Sequence, residues 1–144
     1  FDIGRREWSD ELCALFGVPR RALAEVLPSC GRFGITAAGC TAGAGIPVSG
    51  IAGDQQAALF GQACFWPGMT KNTYGTGSFV LMNVGDTCPQ PTDGLLTTVA
   101  WTLPARLVGG APDQPPVTSY ALEGSIFMTG VTYAAKRKVW ADVH

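Results

Sequence analysis

The sequence predicts an α/β fold, and three observations carry that prediction. A short apolar run at residues 46–53, punctuated by glycines, leads directly into the helix-forming stretch 55–62, as a strand feeding a helix does. Two β-rich segments, 69–74 and 78–84, flank Gly75-Thr76-Gly77 and read as strands joined by a tight turn. Near the start, residues 9–17 combine an acidic opening with apolar Leu12, Leu15 and Phe16 and a closing Gly17, the pattern of a short amphipathic helix. At 144 residues, 47% hydrophobic and 15% charged, the chain is long and apolar enough to bury a core and too apolar for disorder.

The elements follow in order. Ser9 or Asp10 is the expected cap of the first helix, since a short oxygen-bearing side chain there accepts from the orphan N–H groups of the first turn. Val18-Pro19 restarts the chain, and residues 20–26 offer a further helical turn or two before Pro28 ends it. Residues 29–45 hold five glycines and three threonine or serine residues without periodicity. They are expected to form an irregular crossing, with a domain boundary near Gly45. Residues 1–45 then close one domain and residues 46–144 open a second, truncated one. Asp54 stands where the helix after the 46–53 strand begins. Residues 95–103 and 119–128 are further β-rich runs, separated by the Gly/Pro loop 104–116. The basic tail at 134–140 reads as a weakly helical, solvated terminus.

Counts exclude whole classes of function. Ten Lys+Arg against eleven Asp+Glu give a net charge of −1, so no positive field draws in nucleic acid or an anionic membrane. The single histidine is His144, which removes Ser-His-Asp and Cys-His catalysis and His-ligated zinc. The cysteines, Cys13, Cys30, Cys40, Cys64 and Cys88, are odd in number and lack C-x-x-C spacing. They read as reduced, small apolar side chains of a cytoplasmic protein. No stretch reaches the ~18 apolar residues of a membrane span, and the charged opening is no signal peptide. Phe1 in place of methionine leads us to expect a piece of something longer.

Without histidine, proton transfer falls to a carboxylate, lysine, tyrosine or cysteine. Of the eleven acids, nine lie in polar or turn contexts. Asp54 does not: it sits at a glycine-flanked strand-to-helix junction, where α/β folds place functional loops. It serves there either as a helix cap or as a base, and local physics leaves both open. Glu123, embedded in Tyr120-Ala121-Leu122-Glu123-Gly124, is better read as a hydrogen-bonded structural acid. Gly75-Thr76-Gly77 allows phosphate to approach the backbone. Geometry alone, however, favours a plain hairpin turn whose glycines supply positive φ.

Residues 49–62, Ser-Gly-Ile-Ala-Gly-Asp-Gln-Gln-Ala-Ala-Leu-Phe-Gly-Gln, followed by 71–79, Lys-Asn-Thr-Tyr-Gly-Thr-Gly-Ser-Phe, resemble the glycerol kinase family. The likeness continues through Leu81-Met82-Asn83, residues 94–98 and residues 120–127, and reaches back to Phe16-Gly17-Val18-Pro19-Arg20 and Pro28-Ser29. It implies a partial ribonuclease-H-like fold of the actin and hexokinase type, comprising the end of a first domain and the first strands of a second. It further implies ATP-dependent phosphorylation of glycerol with Mg²⁺ by a cytoplasmic, homo-oligomeric complete enzyme. A polyol or sugar kinase of the same superfamily, or an inactive fragment, is the alternative.

By the same resemblance Asp54 is the general base and a contact to the metal through Mg-ATP, and Asp54, Gln55 and Phe79 hold glycerol. Gly75, Thr76 and Gly77 face the ATP phosphates. The family's first phosphate loop, the Arg-Glu and Tyr of its glycerol grip and its adenosine pocket have no counterpart here, so the isolated chain is expected to be inactive. Gly45 stands where fructose 1,6-bisphosphate-inhibited members carry an arginine. After Gly130 the sequence leaves the family pattern.

Overall fold

The computed structural model describes residues 1–127. The basic tail and the departure after Gly130 therefore lie outside the described residues. The chain divides into two compact units. Residues 1–52 and 101–118 form the first, and the second runs from Gly53 to Ala100 and resumes at Ser119.

In the first unit, helix α1 (Asp10–Leu15) starts at Ser9, whose hydroxyl accepts the Leu12 N–H at 3.2 Å. The expected cap is thus Ser9 rather than Asp10, with Asp10 and Glu11 in the first turn, where they favour the helix dipole. Gly17 takes φ 66° and turns the chain out of the helix. A 3-10 turn, Arg20–Ala22, is all that forms of the second helical segment.

The stretch 29–45 corrects the sequence reading. Strand β1 (Cys30–Ile35) lies within it and pairs antiparallel with β2 (Pro47–Gly50), Cys30 opposite Gly50 and Ile35 opposite Pro47. All of β2 is exposed. The pair is therefore held by main-chain bonds and leaves no hydrophobic alternation to read. Thr36 closes the connecting loop: its N–H donates to Ile46 O at 2.9 Å and its hydroxyl to Gly43 O at 2.6 Å, while Ile46 N–H returns a bond to that hydroxyl.

The second unit holds helix α2 (Asp54–Gly61) against strands β3 (Thr70–Tyr74) and β4 (Ser78–Gly85). With β5 (Leu96–Leu103) and β6 (Val117–Ile126) these strands make a sheet of order β3-β4-β6-β5. β3 and β4 form the expected hairpin, from Thr70 opposite Met82 to Tyr74 opposite Ser78. β6 runs antiparallel to β4, with Glu123 opposite Leu81 and Ser125 opposite Phe79. Residues directly opposite one another project to the same face. Lys71, Leu81 and Glu123 thus make one row of that face, and Thr73, Phe79 and Ser125 the next.

Leu59 of α2, Leu81 and Ala121 are fully buried and form the core of this unit with Cys64. Asn83 is buried among them with its amide satisfied, donating to Cys64 O at 2.9 Å and accepting from Gly85 N–H at 2.8 Å. That last bond spans an irregularity in the β4–β6 register, where Gly85 takes φ 88°. All five cysteines are free thiols, of which only Cys64 is buried. Among the described residues no helix is long and apolar enough to cross a membrane.

Candidate active site

The site is built where α2 begins. Gly53, extended at φ −64° and ψ 152°, is the residue before the helix and gives it no side-chain cap. Asp54 is the first helical residue and acidic in the first turn. Its exposed carboxylate meets the next residue twice: Oδ1 accepts the Gln55 backbone N–H at 2.9 Å, and Oδ2 accepts the Gln55 side-chain Nε2 at 3.3 Å. Both oxygens keep further lone pairs free to accept. Gln56, one residue on, donates to Thr98 Oγ1 at 3.3 Å on β5.

Gln55 is also gripped from the sheet. Lys71 on β3 is 1% exposed, and its Nζ donates to Gln55 Oε1, to Thr73 Oγ1 at 2.9 Å and to the Phe79 carbonyl at 3.1 Å. An ammonium has three protons to give, and three acceptors take them. Burial holds the Lys71 pKa below its ordinary value, opposed by the carboxylates of Glu123 and Asp54, whose charges favour the ammonium. Glu123 is half-buried on β6 and accepts the Ser125 hydroxyl at 3.0 Å.

The 75–77 turn closes the β3–β4 hairpin, with Gly75 N–H donating to Gly77 O at 2.7 Å. The glycines are not there for positive φ, since neither is among the residues that adopt it. Gly77 is required by space: a Cβ there would lie 2.8 Å from Ile126 O. Gly75 is exposed, and its Cβ would meet nothing nearer than Gly77 O at 3.6 Å. The fold itself makes no demand on that glycine. Thr76 is exposed between them, and Phe79 is half-buried two residues past the turn.

The structure therefore brings Asp54, Gln55 and the Phe79 backbone into one connected set through Lys71, and hangs Gly75, Thr76 and Gly77 at the tip of the same hairpin. Sequence reasoning missed Lys71. The available signal was parity: Lys71 and Thr73 alternate with exposed Thr70, Asn72 and Tyr74, and the register pairs Lys71 with buried Leu81. Among the described residues no three His, Cys, Asp or Glu side chains converge to hold a metal. Asp54 is an exposed carboxylate, and it and Glu123 are the two acids whose charges act on Lys71.

The N-terminal-domain model of the FGGY family of carbohydrate kinases matches residues 1–61. Glycerol kinase of Halorhodospira halophila is 52% identical over 130 residues, 90% of this chain and 24% of that protein. The chain is homologous to part of glycerol kinase. Glycerol kinase 2 of Thermotoga maritima is 50% identical over the same share of each chain. The crystal structure of Plasmodium falciparum glycerol kinase with ADP superposes with a TM-score of 0.78 at 35% identity, covering 96% of this chain and 26% of that one. The chain thus spans about a quarter of the length of the curated glycerol kinases it matches. A match of 130 residues within 144 takes in α2, the hairpin and β6 whole. The fold is the partial α/β fold of glycerol kinase, of the actin and hexokinase type, in agreement with the class read from the sequence.

Proposed function

We propose that this chain is the acceptor-activating segment of an enzyme that transfers the γ-phosphoryl group of ATP to a glycerol hydroxyl. The observation that carries the reading is the Asp54 carboxylate. It is exposed at the first position of α2, and its two oxygens are fixed in direction by Gln55. An alcohol hydroxyl is a poor nucleophile until its proton has somewhere to go, and a carboxylate held in place by a neighbouring amide suits that task. Gln55 can present the remaining amide proton to a second hydroxyl, and Phe79 offers an apolar wall for the carbon chain.

Phosphoryl transfer asks the protein mainly for positioning and charge stabilisation. The 75–77 turn fits the phosphate side of that task. Gly75 is open to the approach of a charged oxygen, and the exposed Thr76 hydroxyl adds a donor. Mg²⁺ would enter with the nucleotide, since magnesium is commonly held by one or two carboxylates plus substrate phosphates. The exposed Asp54 carboxylate fits that donor set. When bound, the ion neutralises charge on the transferring phosphoryl group.

We also infer that the chain joins the end of one kinase domain to the start of the next. The crossing would lie near Gly45, where the composition changes. Localisation in the cytoplasm and a homo-oligomeric complete enzyme remain part of the same proposal.

The test is glycerol-dependent ADP formation by the complete enzyme carrying this chain, measured against a panel of polyols and sugars. Preference for glycerol supports the reading. Preference for another polyol moves the acceptor within the superfamily, and absence of any acceptor-dependent turnover overturns it.

A further inference from the structure

A fully buried lysine is uncommon because desolvating an ammonium costs several kcal/mol unless every proton finds an acceptor. Lys71 meets that condition through Gln55, Thr73 and Phe79, three residues on three different elements or element ends. A methionine of similar length would fill the space without the desolvation cost. The ammonium therefore calls for an explanation beyond packing, and its partners suggest one.

Lysine can only donate. With Nζ directed at the Gln55 side chain, the Gln55 amide must turn its Oε1 to Lys71, and its NH₂ is then left toward Asp54, where it lies 3.3 Å from Oδ2. Rotating the amide by half a turn would set NH₂ against NH₃⁺ and carbonyl against carboxylate, two repulsive contacts in place of two attractive ones. The same ammonium holds the carbonyl of Phe79, and so the main chain from which that ring projects. Asp54 from α2 and Glu123 from β6 are the acids whose charges act on Lys71. β4, which runs between β3 and β6, contributes no charged side chain.

We infer that Lys71 is a positioning residue for the acceptor alcohol: it sets the Gln55 amide so that its donor side faces Asp54, and it anchors the backbone of Phe79. This rests on the acceptor role proposed above for Asp54, Gln55 and Phe79. Lys71 itself need not touch the acceptor. Its effect passes mainly through Gln55, and that gives it a signature distinct from a general contribution to stability.

The experiment is a double-mutant cycle in the complete enzyme. Lys71→Met should raise the acceptor KM about tenfold or more and leave the nucleotide KM within about twofold, as expected when charge-assisted bonds in one half of a site are lost. In a Gln55→Ala background the same substitution should change the acceptor KM several-fold less than it does alone, because the main group it acts through is gone and only the Phe79 anchor remains. Full additivity of the two substitutions would overturn the inference.

A second readout does not need activity. The Gln55 side-chain NH₂ protons, observed by NMR, should exchange slowly in the wild type and at least about tenfold faster in Lys71→Met. Unchanged exchange would also overturn the inference. If the wild type showed no turnover on glycerol while the Gln55 protons still responded to Lys71→Met, the acceptor reading would fall and the positioning role would stand. Should Lys71→Met not fold, Lys71→Arg keeps the charge but cannot put one nitrogen among three acceptors. It should show a raised acceptor KM, and a wild-type value would count against the inference.

Discussion

The Lys71 ammonium on β3 donates to the side-chain carbonyl oxygen of Gln55 on α2, so a fully buried cation holds the residue that touches the proposed base. The arrangement ties strand, helix and hairpin into one polar cluster in the second unit.

Asp54→Asn in the complete enzyme keeps the shape of the side chain but cannot accept a proton. Turnover should fall on the order of 10² to 10⁴, while glycerol binding measured by calorimetry should persist. A near-normal kcat would reduce Asp54 to an acid that merely favours the start of α2.

Thr76 and Phe79 should separate the two halves of the site. Thr76→Ala removes one donor to a charged oxygen, worth roughly 1.5 to 3 kcal/mol, or about ten- to hundredfold in kcat/KM for the nucleotide. Phe79→Ala should instead raise the glycerol KM with the nucleotide KM little changed. Steady-state kinetics varying each substrate in turn decides the matter. A rise confined to the glycerol KM in Thr76→Ala would put the turn in the acceptor pocket.

The two glycines of the turn should behave differently. Gly77→Ala forces a Cβ to within 2.8 Å of Ile126 O, backbone that cannot swing aside, and should cost about 1 to 3 kcal/mol of stability. Gly75→Ala meets only ordinary contact and should leave the melting temperature near that of the wild type. If Gly75 is there for phosphate, its substitution should nevertheless lower nucleotide kcat/KM. Loss of neither stability nor nucleotide use in Gly75→Ala would show the position to be indifferent.

Stability should carry the titration of Lys71. Its pKa in the folded protein lies below the ordinary 10.5, with burial as the cause, and Glu123 and Asp54 acting against it. Between the folded and unfolded values the unfolded chain binds the additional proton, so unfolding free energy rises with pH through that window. The contribution is complete above 10.5 and is lost as pH falls through the folded value. Urea midpoints of the wild type should therefore gain on those of Lys71→Met as pH rises toward 10.5. A difference that stayed flat from pH 7.5 to 10.5 would remove the effect.

The 144-residue chain by itself should consume no ATP in response to glycerol, since it spans about a quarter of the glycerol kinases it matches. Leu15, Phe16, Trp66 and Phe127 are exposed, and side chains of that kind promote association. Light scattering should show self-association at micromolar concentration. A monodisperse chain with glycerol-stimulated ATP turnover would contradict both statements.

Local chemistry in the sequence determined a good part of this protein. Ser9 and Gly17 marked the two ends of α1, Gly53-Asp54 marked the start of α2, and Gly75-Thr76-Gly77 marked the β3–β4 hairpin, because caps and turns depend on residues close together in the chain. The irregular reading of residues 29–45 was wrong at Cys30–Ile35. That strand exists only through main-chain bonds to Pro47–Gly50, across the loop that Thr36 closes, and main-chain bonds leave no side-chain pattern. Lys71 is the deeper case. In sequence it is one charged residue between Thr70 and Asn72, and charge ordinarily means solvent. Only the tertiary structure decided otherwise, by bringing Gln55 from one element and the Phe79 carbonyl from another to meet the three protons of its ammonium.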